Sequence, residues 1–260
     1  WGLTLAYDFS KNLNDYFFYL LLFFLGSVLM RSAGCIVNDI SDKEFDKKVS
    51  RTKNRPIASN QVSVKLGIFY TLILCLLAFL VLINFNNLTI LLALGSMPLA
   101  FTYPLMKRFT YWPQLFLGIT FNYGLVLGWT AIQGEINAVA IIFYLGAIFW
   151  TLGFDTIYGY QDLKDDEIIG IKSTSIKFKK NSKLFLSICY IVFLISLVFV
   201  GLLMNFDHFF YLSLLICAVH LFIYQVYRFN FKDSLLCLSI FKSNNFLGLI
   251  VLVNIIIGKM

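Results

Sequence analysis

Charge is what this sequence most lacks. Of its 260 residues only 13% are Asp, Glu, Lys or Arg, while 59% are hydrophobic, and the mean hydropathy is +0.79. A soluble domain carries about 25% charged residues, so a water-soluble globule of this length is excluded. Strict apolar–polar alternation is also missing. The apolar residues run on continuously, which excludes a membrane barrel. The five cysteines (Cys35, Cys75, Cys189, Cys217 and Cys237) lie scattered through apolar runs, with no CxxC spacing and no Cys/His pair. They offer no disulfide or zinc framework and read as apolar packing. No methionine opens the chain. The stretch Trp1 to Tyr7 reads as the tail of a further helix whose start is missing, and no signal peptide can be judged from it.

What is present in place of charge is length of apolar run. Crossing a bilayer takes roughly 20 apolar residues as a helix. Eight runs qualify, at about 16–37, 66–85, 88–106, 113–133, 136–154, 184–204, 208–227 and 237–257. With barrels excluded, helices alone satisfy their own backbone in lipid. The expected fold is all-α: a polytopic transmembrane helical bundle.

The net charge of +7 is unevenly placed. Threading eight spans alternately puts loops 38–65, 105–112, 155–183 and 228–236 on one side. Those loops and their helix ends, with Lys164 among them, hold every Lys and Arg except Lys11 and Lys259 on the opposite side and Arg31 within a span. This bias places the basic side in the cytoplasm or its equivalent. It accounts for the positive charge without a nucleic-acid partner, and none is expected.

Two acid-rich segments fall on that same basic side. The first is Asn38-Asp39-Ile-Ser-Asp42-Lys-Glu-Phe-Asp46; the second runs Asp155-Thr-Ile-Tyr158-Gly-Tyr-Gln-Asp162-Leu-Lys-Asp165-Asp166. If the first span continues as a helix through Asp46, then Arg31, Asn38, Asp39, Asp42 and Asp46 share an arc of roughly 100°. Arg31 is the deepest of them. An arginine inside an apolar span either snorkels as a structural residue or faces a polar cavity. In the second segment Asp155, Asp162 and Asp166 share a narrower helical arc, flanked by Tyr158 and Asp165. The two segments align Asn38 with Tyr158, Asp42 with Asp162 and Asp46 with Asp166, which predicts a duplicated half-site on two facing helices. So many carboxylates together call for a hard divalent cation. Mg²⁺ takes one or two carboxylates and completes its shell with waters and phosphate oxygens. The bland alternative is a pair of solvated acidic loops balanced by lysines.

These segments resemble the two aspartate motifs of the UbiA superfamily of intramembrane prenyltransferases. Asn38-Asp39-x-x-Asp42-x-x-x-Asp46 is similar to the first, and Asp155-Thr-x-Tyr158-x-x-x-Asp162-x-x-Asp165-Asp166 to the second. Arg51-Thr-Lys-Asn-Arg55-Pro-Ile-Ala-Ser59, Gly170-Ile-Lys-Ser-Thr174 and Tyr103-Pro-Leu-Met-Lys-Arg108 also resemble family segments. The details are most similar to the 4-hydroxybenzoate polyprenyltransferases of ubiquinone synthesis, with Gly159 where that group commonly has Ala. The resemblance spans essentially the whole chain. It implies a single membrane domain over 1–260, a bundle of nine helices in the full protein around a central cavity, with the first mostly absent here.

The same resemblance implies Mg²⁺, a polyprenyl diphosphate donor and an aromatic acceptor, 4-hydroxybenzoate. Asp42, Asp46, Asp162 and Asp166 would hold the metal, with Asn38 completing the first cluster. Arg31, Arg55, Lys107 and Lys172 are candidates for the diphosphate, with Arg55 and Lys107 preferred. Arg108 is the candidate for the acceptor's carboxylate, since a guanidinium pairs bidentately with one; its other reading is an ordinary basic anchor. Tyr103 and Tyr158 are candidates to steady the acceptor or the allylic cation, or else interface anchors. The 28 Phe residues offer ring faces to shield that cation. Apart from the bilayer and these substrates, no protein partner is predicted. Other acceptors stay open (haem, homogentisate, a naphthoate, a chlorophyllide), as do a cation transporter and a non-catalytic scaffold. The bias toward Phe, Ile, Lys and Asn points to the inner (plasma) membrane of a bacterium, with the mitochondrial inner membrane as the alternative.

Overall fold

The computed structural model describes all residues except Lys164 and Asp165, so the places that the sequence assigns to those two lie outside the described residues. Among the described residues no strand forms, and twelve α-helices follow one another: α1 (Gly2–Ala6), α2 (Leu13–Asp46), α3 (Val64–Leu82), α4 (Asn87–Thr102), α5 (Met106–Phe109), α6 (Pro113–Gln133), α7 (Ala138–Gly159), α8 (Leu163–Ile169), α9 (Thr174–Lys177), α10 (Ser182–Leu203), α11 (His208–Val219) and α12 (Ser234–Gly258). Eight segments among these residues are long and apolar enough to cross a membrane, each carrying one of the runs marked by hydropathy. The protein is an all-α, multi-pass membrane bundle.

Short polar side chains set where the spans begin. Asn12, Ser63, Asn86, Asn137, Asp207 and Asp233 each accept a backbone N–H from the first turn of the helix that follows. An N–H left bare at the rim of the apolar layer would lack a partner, so such caps fix the register at which the chain enters it. Pro113 opens α6 where its missing N–H costs nothing. Pro98 interrupts α4, which soon gives way to a 3-10 turn over Tyr103–Leu105 and then to α5.

The central helix is α7, packed by α6, α10 and α12. Its close approach to α10 depends on two residues without side chains. A Cβ at Gly146 would stand 1.7 Å from Ser196 Oγ, and one at Gly153 would stand 2.5 Å from the Tyr190 ring. Small residues at such crossings let membrane helices gain dispersion contact where no hydrophobic drive exists. A buried polar cluster ties the same helices together. Trp150 Nε1 and Gln225 Nε2 both donate to Asn244 Oδ1, at 2.9 and 3.0 Å, and the Tyr190 hydroxyl donates to Gln225 Oε1 at 2.6 Å. Gln225 belongs to a π-helical segment, His220–Tyr227, that continues α11.

At the edge of the bundle α2 pairs with α3. With 34 residues, α2 is about 51 Å long at 1.5 Å per residue, well beyond the roughly 30 Å of a hydrocarbon core. Its last turns therefore carry the first acidic segment past the apolar layer on the basic side.

Candidate active site

On α2 the helix does continue through Asp46, so Asn38, Asp39, Asp42 and Asp46 follow one another at three- and four-residue steps. Asp42 and Asp46 are buried, 2% and 6% exposed. Buried carboxylates need compensation, and each finds a cation from a different part of the chain. Lys107, from α5, places Nζ 2.5 Å from Asp42 Oδ2. After α2 the chain winds through turns, held by Thr52 Oγ1 donating to the Asp46 carbonyl at 3.2 Å. Those turns bring Arg55 back under the helix, where Nη1 lies 2.9 Å from Asp39 Oδ1 and 3.0 Å from Asp46 Oδ2.

The second segment is built differently from the first, which corrects the expectation of two matched helical faces. The helix α7 stops at Gly159, the chain turns through Tyr160 and Gln161, and α8 starts only after Asp162. The cause is tertiary: Tyr160 is buried with its ring 5.2 Å from that of Phe229 and 6.0 Å from that of Phe231. Packing there takes the chain off the helical path, so Asp155 and Asp162 share no helix.

The turn nonetheless brings Asp162 to the first segment. Arg51 reaches across with Nε 3.0 Å from Asp162 Oδ1 and Nη2 2.5 Å from Oδ2, its guanidinium 5.4 Å from the centre of the Tyr158 ring. The carboxylate holds that guanidinium above its usual pKa range, so it stays charged at any working pH.

All of this surrounds one cavity of about 250 Å³. Asn38, Asp42, Asp46, Arg51, Arg55, Tyr103, Lys107, Asp155, Tyr158, Asp162, Asp166 and Lys172 line it. Asp42 and Asp162 thus share a site although 120 residues separate them in sequence. The loop carrying Lys172 is pinned beside α5, its N–H donating to the Lys107 carbonyl at 3.0 Å, while Lys172 Nζ donates to the Phe109 carbonyl at 3.2 Å. As the side chains stand, no three His, Cys, Asp or Glu among the described residues gather into a group fit for a metal ion. The carboxylates are partnered by Lys and Arg. One observation does fit a cation: Asp42 Oδ1 is buried and has no hydrogen-bond partner among the described residues. An all-oxygen donor set on the wall of a polar cavity is the kind a hard divalent ion takes.

Two expected residues lie elsewhere. Arg108 does not line the cavity; its Nη2 donates to the Ser41 carbonyl and its guanidinium lies 5.2 Å from the centre of the Phe45 ring, bracing α2 from outside. Arg31 is exposed, two turns inward of Asn38 on α2, close enough to Asp155 and Tyr103 to act on both electrostatically. It makes no hydrogen bond or ion pair among the described residues.

Sequence reasoning gave no role to two lining residues, Arg51 and Gln114. Several cations follow the first segment, and nothing in their spacing says which one crosses to Asp162. Gln114, just inside the start of α6, is a single neutral side chain with no periodic signal; its position right after Pro113 was the available hint.

A model of the UbiA prenyltransferase family matches residues 1–250 of the chain. The mitochondrial 4-hydroxybenzoate polyprenyltransferase of Dictyostelium discoideum is 41% identical over 243 residues, which cover 93% of this chain and 52% of that protein. Its counterpart in Bos taurus is 41% identical over 261 residues, covering 100% of this chain and 70% of that one. The 4-hydroxybenzoate octaprenyltransferase of Vibrio atlanticus (strain LGP32) is 41% identical over 258 residues, covering 99% and 89%. The chain therefore spans about half the length of the Dictyostelium relative and about nine tenths of the Vibrio one. Among solved structures, the apo form of a UbiA homologue from Aeropyrum pernix K1 superposes with a TM-score of 0.77 at 22% identity, covering 99% of this chain and 92% of that one. A UbiA homologue from Archaeoglobus fulgidus bound to GPP and Mg²⁺ gives 0.71 at 18% identity, covering 99% and 90%.

Proposed function

This chain belongs to the UbiA prenyltransferase family, and we propose that it transfers a polyprenyl group from polyprenyl diphosphate to the ring carbon ortho to the hydroxyl of 4-hydroxybenzoate, in ubiquinone biosynthesis. The observation that carries this reading is the shared cavity: buried carboxylates from α2 line it together with Asp162 and Asp166 and with four basic side chains, Arg51, Arg55, Lys107 and Lys172, at one rim of a membrane bundle. A donor with an apolar tail and a charged head requires that placement. The names of relatives 41% identical supply the acceptor.

In this reading Asp42, Asp46, Asp162 and Asp166, with Asn38, would hold Mg²⁺. The Mg²⁺ supplies Lewis acidity that neutralises the diphosphate as it leaves. The chain's own cations share that task. Lys107, Arg55 and Arg51 pair with carboxylates; were those carboxylates to hold Mg²⁺, the three cations would be available to phosphate oxygens, which guanidinium groups grip bidentately. Lys172 stands beside them. The ring of Tyr158 lies against the Arg51 guanidinium and the Phe241 ring and steadies that guanidinium at the cavity wall. For the acceptor we assign Arg31 rather than Arg108, because Arg31 makes no hydrogen bond or ion pair among the described residues and stands close enough to the cavity residues Tyr103 and Asp155 to act on both electrostatically. Asp155 has no hydrogen bond among the described residues. In this reading Asp155 accepts the proton of the acceptor's hydroxyl, the ring carbon bonds to the allylic carbon as its bond to the diphosphate oxygen breaks, and the proton lost from that ring carbon goes to water as Asp155 returns the hydroxyl proton. The basic side faces the bacterial cytoplasm or, if the chain is mitochondrial, the matrix.

The test is prenyl transfer by the protein in membranes, with labelled polyprenyl diphosphate and a panel of aromatic acceptors, with and without EDTA. Transfer to 4-hydroxybenzoate that EDTA abolishes and Mg²⁺ restores is the expected result. Transfer to another acceptor alone, or transfer indifferent to EDTA, overturns it.

A further inference from the structure

One cavity side chain is a buried neutral amide held at one end only. Gln114 is 7% exposed. Its Oε1 accepts the backbone N–H of Thr174 at 3.0 Å. That bond fixes which end of the amide is which, because an N–H donor requires the oxygen. Nε2 has no hydrogen-bond partner among the described residues, and the residue lines the cavity. Its two N–H donors therefore open on the cavity, available to a ligand or to water.

Its height in the cavity selects the ligand. A Cβ built on Gly159 would stand 3.5 Å from Gln114 Nε2, so the amide lies at the end of α7, next to Tyr158 and three residues from Asp162. The deeper layer, with Asp155 and Arg31, is at least a turn further in. The level of Gln114 is therefore that of the carboxylates and guanidinium groups. It also stands in the first turn of α6, whose positive dipole end opens on the same space.

We infer that Gln114 Nε2 donates a hydrogen bond to an oxygen of the donor's diphosphate, so that Gln114 is a substrate-contacting residue in addition to the charged set. This rests on the diphosphate reading of the cavity. The amide suits the task because it adds a directed donor without adding a charge that the nearby carboxylates would capture. Thr174 supplies the orientation and in turn shares a 2.6 Å hydroxyl contact with Thr156 of α7. The oxygen end of the amide is thus held by structure that is itself tied to α7.

Gln114→Glu separates this role from a structural one. The glutamate keeps an oxygen for the Thr174 N–H but turns Nε2 into a second acceptor, whereas Gln114→Leu loses both ends. Purified variants are to be melted in detergent with and without Mg²⁺ plus inorganic pyrophosphate, and their KM values for donor and acceptor measured. Expected for Gln114→Glu are an unliganded melting temperature near that of the parent, a smaller pyrophosphate-induced rise, and a donor KM raised roughly 10- to 100-fold, as for a lost hydrogen bond to a charged group. Its acceptor KM stays unchanged. A Gln114→Glu variant with the parent's pyrophosphate response and donor KM, even if Gln114→Leu is impaired, overturns the inference in favour of a structural amide. A raised acceptor KM with donor KM intact also overturns it. Absence of any pyrophosphate response in the parent protein removes the diphosphate reading itself, and this inference with it.

Discussion

Arg51 and Asp162, 111 residues apart in sequence, meet as a guanidinium–carboxylate pair that ties the loop after α2 to the turn after α7. The two halves of the cavity are joined there by a charge pair rather than by apolar packing. Arg51 is 41% exposed at its side chain and Asp162 18%, so water screens the pair and its worth to folding is under about 1 kcal/mol. Its worth to ligand binding is greater, because the same guanidinium is available to phosphate.

Replacing Arg51 by Ala should therefore leave the melting temperature almost unmoved and raise the KM for the prenyl diphosphate about tenfold. Arg51→Lys should recover little of this, since an ammonium lacks the fork that spans two oxygens. Melting curves beside donor titrations check the pair of expectations. A large drop in stability with an unchanged donor KM would show the pair to be a structural strut.

Asp42 is the carboxylate whose loss should matter most for metal. One of its oxygens is held by Lys107 and the other is buried without a hydrogen-bond partner among the described residues. Asp42→Asn keeps the size and removes the charge. We expect it to abolish Mg²⁺-dependent thermal stabilisation and to lower turnover by about 100-fold or more, the usual scale for removing a group that stabilises developing charge. A Mg²⁺ titration of the melting temperature reads the binding directly, whatever the state of catalysis.

The two arginines proposed for the acceptor's carboxylate are distinguished by one comparison. Arg108 is occupied with the Ser41 carbonyl and the Phe45 ring outside the cavity, whereas Arg31 makes no hydrogen bond or ion pair among the described residues. Arg31→Ala should raise the KM for 4-hydroxybenzoate at least tenfold, as loss of a charge-assisted contact does, and leave that for the donor unchanged. Arg108→Ala should move neither by more than about twofold, costing at most a surface contact. The reverse pattern would return the acceptor site to the position that the basic segment Lys107-Arg108 suggested.

How much of this could be read beforehand depends on the range of the cause. The spans were legible because apolar run length is a local property, and because the polar caps at Asn12, Ser63, Asn86 and Asn137 lie directly before the helices they start. The acidic segments were legible from composition against an apolar background. Arg55 following Asp46 was close enough in sequence to be preferred, and it does reach that carboxylate. The break after Gly159 was not legible, because it is set by Phe229 and Phe231, some 70 residues later. The local pattern from Asp155 to Asp166 suits a continuous helix. The direction of Arg108 was hidden for a similar reason: it answers to a backbone carbonyl on another helix, and carbonyls leave no mark in a sequence.

The interior polar cluster gives a prediction about folding that is separate from the site. Asn244 Oδ1 is the common acceptor for Trp150 Nε1 and Gln225 Nε2, all three buried among α7, α12 and the π-helical turn after α11. Replacing Asn244 by Leu keeps the volume approximately, leaves the Trp150 N–H without its acceptor and leaves Gln225 Nε2 with only the 3.3 Å contact to His220 Nδ1. Interhelical hydrogen bonds in membranes are worth about 0.6 to 2 kcal/mol each, and an orphaned donor adds its own desolvation cost. The variant should lose about 2 kcal/mol of stability, seen as a lower melting temperature in detergent. Activity per folded molecule should hold, since the cluster lines no part of the cavity. The network also predicts non-additivity. Once Asn244 is gone, the further change Trp150→Phe removes the stranded donor, so the double variant should melt no lower than Asn244→Leu alone by more than the loss of ring area requires. A fully additive loss would mean that the three side chains are neighbours without being coupled.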